Sequence, residues 1–529
     1  MEKLTLVIGD LLEEKAEKNK NRTFLYFRDE QITYEEMNDK SNRAANGLLR
    51  LGINKGDHVC IMLPNSPEFL FTWFGLAKIG AVNVPVNNSY KGEFLRYTID
   101  HSDSKVIVMH SEFLERLKLV EDNLPKLEKV IVVDMKGSAQ VECPTLPFEE
   151  LLECSDETPR VQVGQYDVDA IVYTSGTTGA PKGVMRSHGY GCRCAVDHAE
   201  IRGLTPDDIM YTCLPLFHQN AQLLTTLTAL SADAAMALGE RFSASRFWDE
   251  VRRYKATQIN LIGAMLQYLY SQPPKNNDAD QPARLIVTAP ISRHLYHDFK
   301  RRFNVNFIEG FGLTESGLAT YNLYHEPNPK LGSFGKPAPG YEIKIVDDED
   351  NEVPPLTVGE IITRPTRPNF MMLGYYKMPE KTLEAFKNLW FHTGDYGMMD
   401  HDGYGYFMDR KKDYLRVGGE NISSMQVEST VNTHPKVAES AALGITLEEV
   451  TEDSMVLYVV LKPGEKLTAE EFMDWCQENL PRFAVPRFVE FLDHLPKTPT
   501  ERVEKYKLKE RGIGPNTWDR VKAGYQIRR

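Results

Sequence analysis

The chain has 529 residues, 42% of them apolar, and its 62 Lys plus Arg against 75 Asp plus Glu give a formal net charge of -13. At roughly 100 to 200 residues per domain, this length predicts several domains with ample core. The acidic balance argues against a nucleic-acid-binding protein, because that affinity depends on neutralising phosphates. A local basic or amide-lined cleft can still hold a small anionic ligand.

The seven cysteines are sparse, odd in number and without two Cys-x-x-Cys knuckles. This usage favours a reduced, intracellular protein over a disulfide framework or a zinc site. The N-terminal residues lack a basic n-region, so we expect no signal peptide, and the last four residues carry no peroxisomal address. The most apolar stretch, 69–86, contains Lys78 and predicts a buried helix followed by a strand, not a transmembrane segment. We therefore predict a cytoplasmic location.

Helical patterns alternate with short apolar runs along the chain. Helical spacing of apolar residues is found over 34–51, 66–79 and 111–123. Strand-like runs occupy 58–63, 105–109, 129–133, 170–173 and 303–308. The alternation predicts an α/β fold with parallel-rich sheets packed by helices.

A Gly- and Tyr-rich turn stretch, 402–413, precedes a new α/β pattern. The predicted elements of this last part are a helix from about Ser424, strands 437–443 and 455–461, and a helix 469–479. We therefore predict a large N-terminal domain, 1–409, and a smaller α+β C-terminal domain, 410–529.

A loop of small residues follows the strand-like run 170–173. Residues 174–179 are all Ser, Thr or Gly, and Lys182 follows them. Glycines allow consecutive N–H groups to converge on an anion, hydroxyls donate further hydrogen bonds, and a lysine supplies a point charge for phosphate. A flexible linker would not follow a strand and close with Pro-Lys-Gly. The spacing is not that of a P-loop NTPase, so the loop predicts a phosphate site of another kind.

The run 173–183, Tyr-Thr-Ser-Gly-Thr-Thr-Gly-Ala-Pro-Lys-Gly, resembles the adenylate-forming enzymes, which include acyl-CoA synthetases, firefly-type luciferases and peptide-synthetase adenylation domains. The resemblance extends from about residue 10 to about residue 510. Further motifs follow in the family's order at 214–218, 310–315, 332–337, 359–360, 390–395, 409–413, 418–422 and 496–500. Stretches 241–248 and 271–274 look like the crotonobetaine/carnitine-CoA ligase branch.

The resemblance implies a set of nucleotide-binding residues. They are Thr174, Ser175, Gly176, Thr177, Thr178, Gly179, Lys182, Ala289, Pro290, Glu309, Gly310, Phe311, Gly312, Thr314, Asp395, Phe407, Arg410 and Arg502. Glu315, with Thr178, is the implied Mg2+ site, since this hard cation prefers one or two carboxylates plus substrate phosphate. Asp395 would accept from both ribose hydroxyls. Phe311 replaces the family's usual Tyr and Thr288 replaces a Gly, so the fit around adenine differs here.

The implied acyl pocket is lined by small or moderately polar residues, which favours a short or medium acid. Its predicted members are His218, Gln219, Ile262, Gly263, Gly312 and Leu318. His218 would lie beside the carboxylate and gate the pocket, although a lone His is often a packed core residue. A quaternary ammonium substrate should want an aromatic cage. The sequence shows no cluster of aromatics that must form one, so a betaine stays an option.

The resemblance implies two half-reactions: carboxylate plus ATP gives acyl-adenylate and pyrophosphate, and coenzyme A then gives a thioester and AMP. The implied catalytic residues are Lys182, His218, Glu315 and Arg502. The C-terminal domain would be mobile, with Lys412 as hinge. The coenzyme A channel would contain Arg416, Gly418, Gly419 and Glu420. The expected ligands are ATP, Mg2+ and coenzyme A as cosubstrate.

The most informative departure from the family is at 500–505, where Glu501 replaces a Gly and Arg502 replaces the catalytic Lys. Arginine can grip carboxylate or phosphate with a planar fork, so we predict that Arg502 takes over this role, with Lys505 as the fallback. Two alternatives stay open: an acyl-AMP ligase that loads a carrier protein, and a nucleotide-binding regulator that has lost catalysis. The expected partners are small molecules, and the resemblance leaves room for a homodimer.

Overall fold

The fold was analysed in a computed structural model. It describes residues 4–136, 141–174, 181–291, 293–323, 330–410, 414–417, 420–446, 453–480, 484–498 and 503–527. The chain divides into two compact units, Met1–Glu342 with Thr363–Phe391, and Ile343–Ile362 with His392–Arg529. The α/β class is confirmed, because helices cover parallel-rich sheets. The predicted domain boundary between residues 409 and 410 lies inside the second unit and stays a prediction.

In the described part of the first unit, the larger sheet has nine strands. Their order is Lys336–Pro337, Thr320–Leu323, Asn306–Glu309, Leu285–Thr288, Gln258–Asn260, Ile209–Thr212, Ala235–Leu238, Thr23–Phe27 and Glu30–Thr33. The central strands are parallel, and the edges are antiparallel. Parallel neighbours place their carboxyl ends at one edge of the sheet, where ligands bind in open α/β folds.

A second sheet of the same unit has eight strands among the described residues. Their order is Gly374–Tyr375, Lys182–Ser187, Val168–Thr174, Val82–Pro85, His58–Met62, Val106–His110, Lys129–Val133 and Thr145–Pro147. The first three strands pair antiparallel and the others parallel. The antiparallel edge carries the predicted phosphate loop between two of its strands.

Two of the helices predicted for the first unit, over 34–51 and 66–79, are confirmed as Tyr34–Arg50 and Pro67–Ile79. The helices of the first unit are Ile8–Asn19, Tyr34–Arg50, Pro67–Ile79, Glu93–His101, Leu114–Lys118, Glu149–Leu152, His188–Ile201, Thr228–Ser231, Phe247–Arg253, Gly263–Tyr270, Arg293–Phe303 and Pro379–Ala385. Short 3-10 turns cover Ser111–Phe113 and Glu121–Asn123, and a π-helix covers Asn220–Leu227. Thr33 begins helix Tyr34–Arg50 with a capping box completed by Glu36.

A buried ion pair ties the antiparallel edge of the second sheet to the core. Arg186 donates from Nε to Oδ1 of Asp169 at 2.9 Å, and its Nη2 lies 2.5 Å from Oδ2, with both side chains fully buried. The guanidinium lies 5.7 Å from the centroid of the buried Trp73 ring. Removing one partner of such a pair leaves an uncompensated buried charge, so the pair fixes how these two strands align.

The second unit is smaller and of α+β type. A four-stranded sheet has the order Val437–Thr446, Asp453–Leu461, Phe488–Phe491, Trp518–Asp519 in its described part. Helices cover Ser424–Val431, Ala469–Asn479 and Lys505–Arg511. The other strands of the chain are Gly312–Leu313, Gly317–Leu318, Tyr341–Val346, Gly359–Pro365, Phe386–Lys387, Trp390–Met399, Gly405–Arg410, Tyr414–Val417 and Glu420–Ser423.

Two element predictions need correction. The continuous helix predicted over 111–123 is two 3-10 turns around the short helix Leu114–Lys118. Its apolar residues Phe113 and Leu117 are still buried, but Pro125 biases the preceding residue away from the helical region and the segment ends in a tight turn. The strand-like run 303–308 begins inside helix Arg293–Phe303, and the strand itself is Asn306–Glu309.

Candidate active site

The predicted phosphate loop joins two antiparallel strands, Val168–Thr174 and Lys182–Ser187. Thr174 and Lys182 are opposite each other in the register, and Thr174 Oγ1 donates to the carbonyl of Lys182 at 3.5 Å. The pairing therefore holds both ends of the loop together. The loop residues Ser175, Gly176, Thr177, Thr178 and Gly179 lie outside the described residues.

Tyr375 connects the predicted phosphate lysine with the predicted magnesium ligand. Its strand pairs with that of Lys182, with Tyr375 opposite Val184, so Tyr375 and Lys182 are diagonal neighbours. Lys182 Nζ lies 4.7 Å from the centroid of the Tyr375 ring, and the Tyr375 hydroxyl donates to Glu315 Oε1 at 2.8 Å. Burial, together with the Glu315 carboxylate, raises the pKa of the Tyr375 hydroxyl, which keeps it a donor. One aromatic side chain thus positions a cation and a carboxylate together.

Glu315 suits a divalent cation. Its carboxylate is partly exposed, and Tyr375 bonds only Oε1. The backbone of this residue is fixed, because Met372 N donates to the Glu315 carbonyl at 2.8 Å. Mg2+ usually keeps several waters and takes one or two carboxylates plus phosphate oxygens, so one oriented carboxylate near Lys182 fits it. The second predicted ligand, Thr178, lies outside the described residues.

Tyr190 connects the predicted nucleotide and acyl residues. Its hydroxyl donates to the carbonyl of Thr314 at 3.4 Å and accepts from Gln219 Nε2 at 3.0 Å. Tyr190 is fully buried near the start of helix His188–Ile201, which Ser187 caps through the Tyr190 N–H. Burial raises its pKa well above the usual value, so it stays a neutral phenol. Thr314 and Gln219 therefore share one hydroxyl as their hydrogen-bond partner.

The run 310–318 folds into a hairpin that has no room for side chains at two positions. Gly312 pairs with Leu318, and a Cβ at Gly312 would overlap the carbonyl oxygen of Gly317. A Cβ at Gly310 would meet the Thr320 carbonyl oxygen at 2.5 Å and the Leu318 side chain at 3.0 Å. Glycine is the residue that permits such close backbone approach. The hairpin brings Gly310, Gly312 and Leu318 of the predicted site together.

Phe311, between these glycines, is 8% exposed and packs on Phe334 with ring centroids 5.2 Å apart. Its N–H donates to Thr320 Oγ1 at 2.8 Å. The phenyl ring is therefore held by packing and by a fixed backbone. The described contacts of Phe311 thus suit a ring that forms an apolar wall of the candidate site rather than a side chain that donates a hydrogen bond there.

The predicted adenine segment packs on the start of helix Gly263–Tyr270. Gly263 N donates to the Ala289 carbonyl at 3.1 Å, and a Cβ at Gly263 would overlap the Pro290 carbonyl oxygen. Glu309 accepts from the N–H of Ile291 at 3.0 Å and is 3% exposed. The peptide before Pro290 is cis. Glu309, Gly263 and the 289–290 backbone therefore form one packed group, with Ile262 at the N-cap of the helix.

His218 precedes the π-helix Asn220–Leu227, a wide helical form that is often found at functional sites. Its Nε2 is buried and has no hydrogen-bond partner in the part of the chain that the structure describes. The same is true of Oε1 of Gln219 and Oδ1 of Asn220. Burial lowers the pKa of His218 to about 4, so the imidazole is neutral near pH 7. Three consecutive residues thus carry buried polar atoms that a ligand could satisfy.

In the second unit, Asp395 lies in strand Trp390–Met399 opposite Arg410 and is 4% exposed. Gly394, at φ +68°, donates its N–H to Glu360 Oε1 at 3.1 Å, and His392 Nδ1 lies 3.3 Å from Glu360 Oε2. Glu360 therefore fixes the turn that presents Asp395. Phe407 lies on the paired strand, opposite Gly397.

Most of the site residues predicted for the C-terminal part of the chain are not described by the structure. Lys412, Gly418, Gly419 and Arg502 lie outside the described residues, as do the side chains of Arg410, Arg416 and Glu420. The fallback residue Lys505 is described: its Nζ donates to Ser424 Oγ and forms an ion pair with Glu428 Oε1 at 2.8 Å. This engagement favours a structural role for Lys505.

Sequence reasoning missed Tyr190 and Tyr375 and assigned no role to Glu360. Each acts through a contact between residues distant along the chain, such as the 60 positions between Glu315 and Tyr375. A weak signal existed for Tyr375, since it follows Gly374 in an aromatic pair after an apolar run. Tyr190 carried no such signal, because its spacing in the sequence indicated only a place in a helix.

Comparison with known families gives the class of protein to which this fold of parallel-rich sheets belongs, the adenylate-forming enzymes. Residues 12–376 match the family described as AMP-binding enzyme, and residues 426–502 match the AMP-binding enzyme C-terminal domain. This protein belongs to the AMP-binding enzyme family, as an adenylate-forming acyl-CoA ligase. No helix among the described residues has the length and apolar character to cross a membrane.

Similar proteins carry ligase names. The chain is 32% identical over 483 residues to the crotonobetaine/carnitine–CoA ligase of Salmonella heidelberg, covering 90% of this chain and 93% of that one. An anthranilate CoA ligase solved with anthranoyl-AMP superposes with a TM-score of 0.87 at 28% identity, covering 96% and 98% of the two chains. The o-succinylbenzoate coenzyme A synthetase of Bacillus subtilis, solved with ATP and a magnesium ion, gives 0.82 at 27% identity, covering 94% and 99%.

Proposed function

We propose that this protein joins a short or medium carboxylic acid to coenzyme A in two steps. The carboxylate attacks ATP to give an acyl-adenylate and pyrophosphate, and the thiol of coenzyme A then takes the acyl group and releases AMP. The observation that carries the proposal is the contact chain Lys182–Tyr375–Glu315, which brings together the lysine that we propose for phosphate and the carboxylate that we propose for Mg2+. Similar structures hold ATP with a magnesium ion or an acyl-adenylate.

The first half-reaction needs stabilisation of charge at the α-phosphate rather than a protein nucleophile. Strand pairing holds the backbone of Lys182, and its Nζ lies 4.7 Å from the centroid of the Tyr375 ring, which supports a role for this cation at the phosphates. Mg2+, when bound with the nucleotide at Glu315, supplies further positive charge at the phosphate oxygens. The glycines at 310 and 312 let nucleotide or acyl group approach the backbone closely.

The acid is proposed to enter between the His218 segment and the 310–318 hairpin. His218 is neutral, since burial lowers its pKa to about 4, so it can orient a carboxylate by hydrogen bonding without holding it as an ion pair. The buried amide oxygens of Gln219 and Asn220 add polar atoms that have no partner among the described residues. These groups support an acid with polar character over a long saturated chain.

The experiment is AMP release by the purified full chain with ATP, Mg2+, coenzyme A and a panel of acids. The panel contains carnitine, crotonobetaine, and short fatty, aromatic and dicarboxylic acids. We expect AMP release that requires one class of acid and coenzyme A together. AMP release that needs a carrier protein instead of coenzyme A would indicate a ligase that loads a carrier protein. ATP binding without pyrophosphate release with any acid would contradict it. A cytoplasmic location and a homodimeric state remain predictions from the sequence.

A further inference from the structure

The chain on both sides of the predicted phosphate loop contacts one helix, Glu93–His101. Before the loop, the hydroxyl of Tyr173 lies 2.7 Å from Nδ1 of His101. After the loop, the carbonyl of Pro181 accepts a hydrogen bond of 3.2 Å from the Tyr97 hydroxyl. The C-terminal part of this helix therefore holds the chain where it enters the loop and where it leaves it.

Three aromatic rings keep these two contacts in place. Tyr97 and His101 are four residues apart on the helix, so they share one face, and their rings stack with centroids 4.9 Å apart. The Tyr173 ring meets both rings edge to face, at 6.4 Å from Tyr97 and 5.8 Å from His101. Stacked and edge-to-face pairs are the arrangements that aromatic rings prefer. The packing thus orients the Tyr97 hydroxyl and the His101 imidazole without the help of a ligand.

Both partners of the contact between Tyr173 and His101 are neutral near pH 7. Burial, and after it the charge of Lys377, lowers the pKa of His101, whereas the charges of Asp103 and Asp100 oppose this effect. Burial raises the pKa of Tyr173. A neutral imidazole has one nitrogen that donates and one that accepts, and a phenol can do either. The contact at 2.7 Å is therefore a hydrogen bond in both tautomers of the histidine.

The chain that follows strand Gly374–Tyr375 fixes His101 from another direction. Lys377 Nζ donates to the His101 carbonyl at 3.0 Å, and the Tyr376 ring meets the imidazole edge to face at 6.0 Å. The N–H of Tyr376 donates to the carbonyl of Gly183, in the strand that follows the loop, at 2.8 Å. His101 is therefore anchored, through Tyr376, to the strand after the loop as well as to the strand before it.

We infer that Tyr97 and His101 are positioning residues for the nucleotide, because they hold both sides of the phosphate loop in place for ATP. The inference rests on the proposed function, which takes this loop as the phosphate site. The strand pairing that closes the loop ends at Thr174 and Lys182, with only a long side-chain contact of 3.5 Å between them. Tyr97 and His101 add one hydrogen bond on each side of this last pair.

The physical effect of these bonds is preorganisation of the loop. Glycine loses more conformational freedom than other residues when it is ordered, and two of the six residues at 174–179 are Gly. Contacts that order the flanking chain in advance reduce the entropy that is lost on binding, so they raise affinity. This gain applies to the ligand that binds the loop, which is ATP, and not to the acid.

Tyr97→Phe tests the contact after the loop, because it keeps the stacked ring and removes only the hydroxyl that donates to Pro181. Titration calorimetry with ATP and Mg2+ alone measures the effect. We expect the Kd for ATP to rise by roughly three- to tenfold, the range expected for one hydrogen bond. Tyr166→Phe is the matched control, since it removes the hydroxyl of a tyrosine that is 58% exposed. It should bind ATP as the wild type does.

The contact before the loop is tested by a double-mutant cycle, since His101→Leu and Tyr173→Phe remove the same hydrogen bond. Each change alone should weaken ATP binding by a similar factor. The double variant should bind ATP about as weakly as the weaker of the two single variants, because changes that act through one contact are not additive. His101→Asn keeps a hydrogen-bonding group close to the place of Nδ1, so it should bind ATP more tightly than His101→Leu.

Pyrophosphate exchange separates positioning of the nucleotide from a general loss of structure. In Tyr97→Phe and Tyr173→Phe, the KM for ATP should rise while the KM for the acid stays unchanged. A purely structural role for these hydroxyls would lower the melting temperature without this difference between the two substrates.

Unchanged ATP affinity in both Tyr97→Phe and Tyr173→Phe would overturn the inference, whatever their melting temperatures. If His101→Leu does not fold, these two variants, which each remove one hydroxyl, decide the question. The proposed function fails separately, when the wild type binds ATP but exchanges no pyrophosphate with any acid, because the ATP titration needs no acid. A wild-type chain that binds no ATP would defeat both.

Discussion

The Tyr375 hydroxyl donates a 2.8 Å hydrogen bond to Oε1 of Glu315, while Lys182 Nζ lies 4.7 Å from the centroid of the same ring. Tyr375→Phe keeps the ring for Lys182 and removes the hydrogen bond. We expect a higher Mg2+ requirement and a roughly tenfold slower adenylation rate, since a hydrogen bond to a metal-binding carboxylate holds it in the orientation that the metal needs. A magnesium titration of pyrophosphate exchange measures both quantities.

Tyr376→Phe is the matched control, because it removes the neighbouring hydroxyl, which donates to Asp103 instead. It should leave the magnesium dependence unchanged. An identical magnesium titration for Tyr375→Phe and wild type would show that Tyr375 does not position Glu315.

The hairpin at 310–318 predicts that Gly312→Ala is disruptive. The added Cβ would overlap the Gly317 carbonyl oxygen, and backbone atoms cannot move away cheaply. We expect ATP binding to weaken by roughly tenfold or more and the melting temperature to fall. Titration calorimetry and thermal unfolding check both outcomes. Gly164→Ala is the control, because the nearest atom to its Cβ would be 3.5 Å away. Equal affinity and melting temperature for the two variants would contradict the account.

His218 predicts a pH dependence of stability. Its pKa is lowered by burial to about 4 in the folded protein, against about 6.5 unfolded. The unfolded chain therefore binds more protons as the pH falls below 6.5. The free energy of unfolding should fall by about 3 kcal/mol between pH 7 and pH 4 through this group.

Urea denaturation across this range, for wild type and His218→Gln, measures the effect as a difference. The variant should lose less stability on acidification. His297→Gln, a change of an exposed histidine, should follow the wild type. If the free energy of unfolding changes with pH equally in His218→Gln and in the wild type, His218 is not held neutral by burial.

Arg502 and Lys505 predict different outcomes when each is changed to Ala. Arg502→Ala should slow pyrophosphate exchange by roughly a hundredfold or more, since a charged donor at the reacting phosphate is lost. Lys505→Ala should chiefly lower the melting temperature of the second unit, because Lys505 pairs with Glu428. An unaffected exchange rate for Arg502→Ala would refute its predicted catalytic role.

Much of the fold could be predicted from the sequence, because periodicity and capping are local. Helix Tyr34–Arg50 begins at the capping box of Thr33 and Glu36, close to its predicted start. Strand His58–Met62 likewise lies close to its predicted position. The break within 111–123 was not predicted, since buried residues such as Phe113 and Leu117 keep helical spacing even where the helix is interrupted.

The candidate site was predicted only in part. Motif residues such as Lys182 and Glu315 were proposed from the sequence because they match motifs of the adenylate-forming enzymes and are residue types that suit phosphate and Mg2+. The tyrosine that joins them was not found, because its role depends on pairing between strands distant in the sequence.

The central claim is acid-dependent adenylation, and exchange of labelled pyrophosphate into ATP tests it most directly. The account predicts exchange that requires an acid, needs no coenzyme A, and falls by roughly a hundredfold or more in Lys182→Ala, which removes charge stabilisation at the phosphates. Lys381→Ala, a change on an exposed helix, should retain it. Exchange that is absent with every acid, or that persists unchanged in Lys182→Ala, would contradict the account.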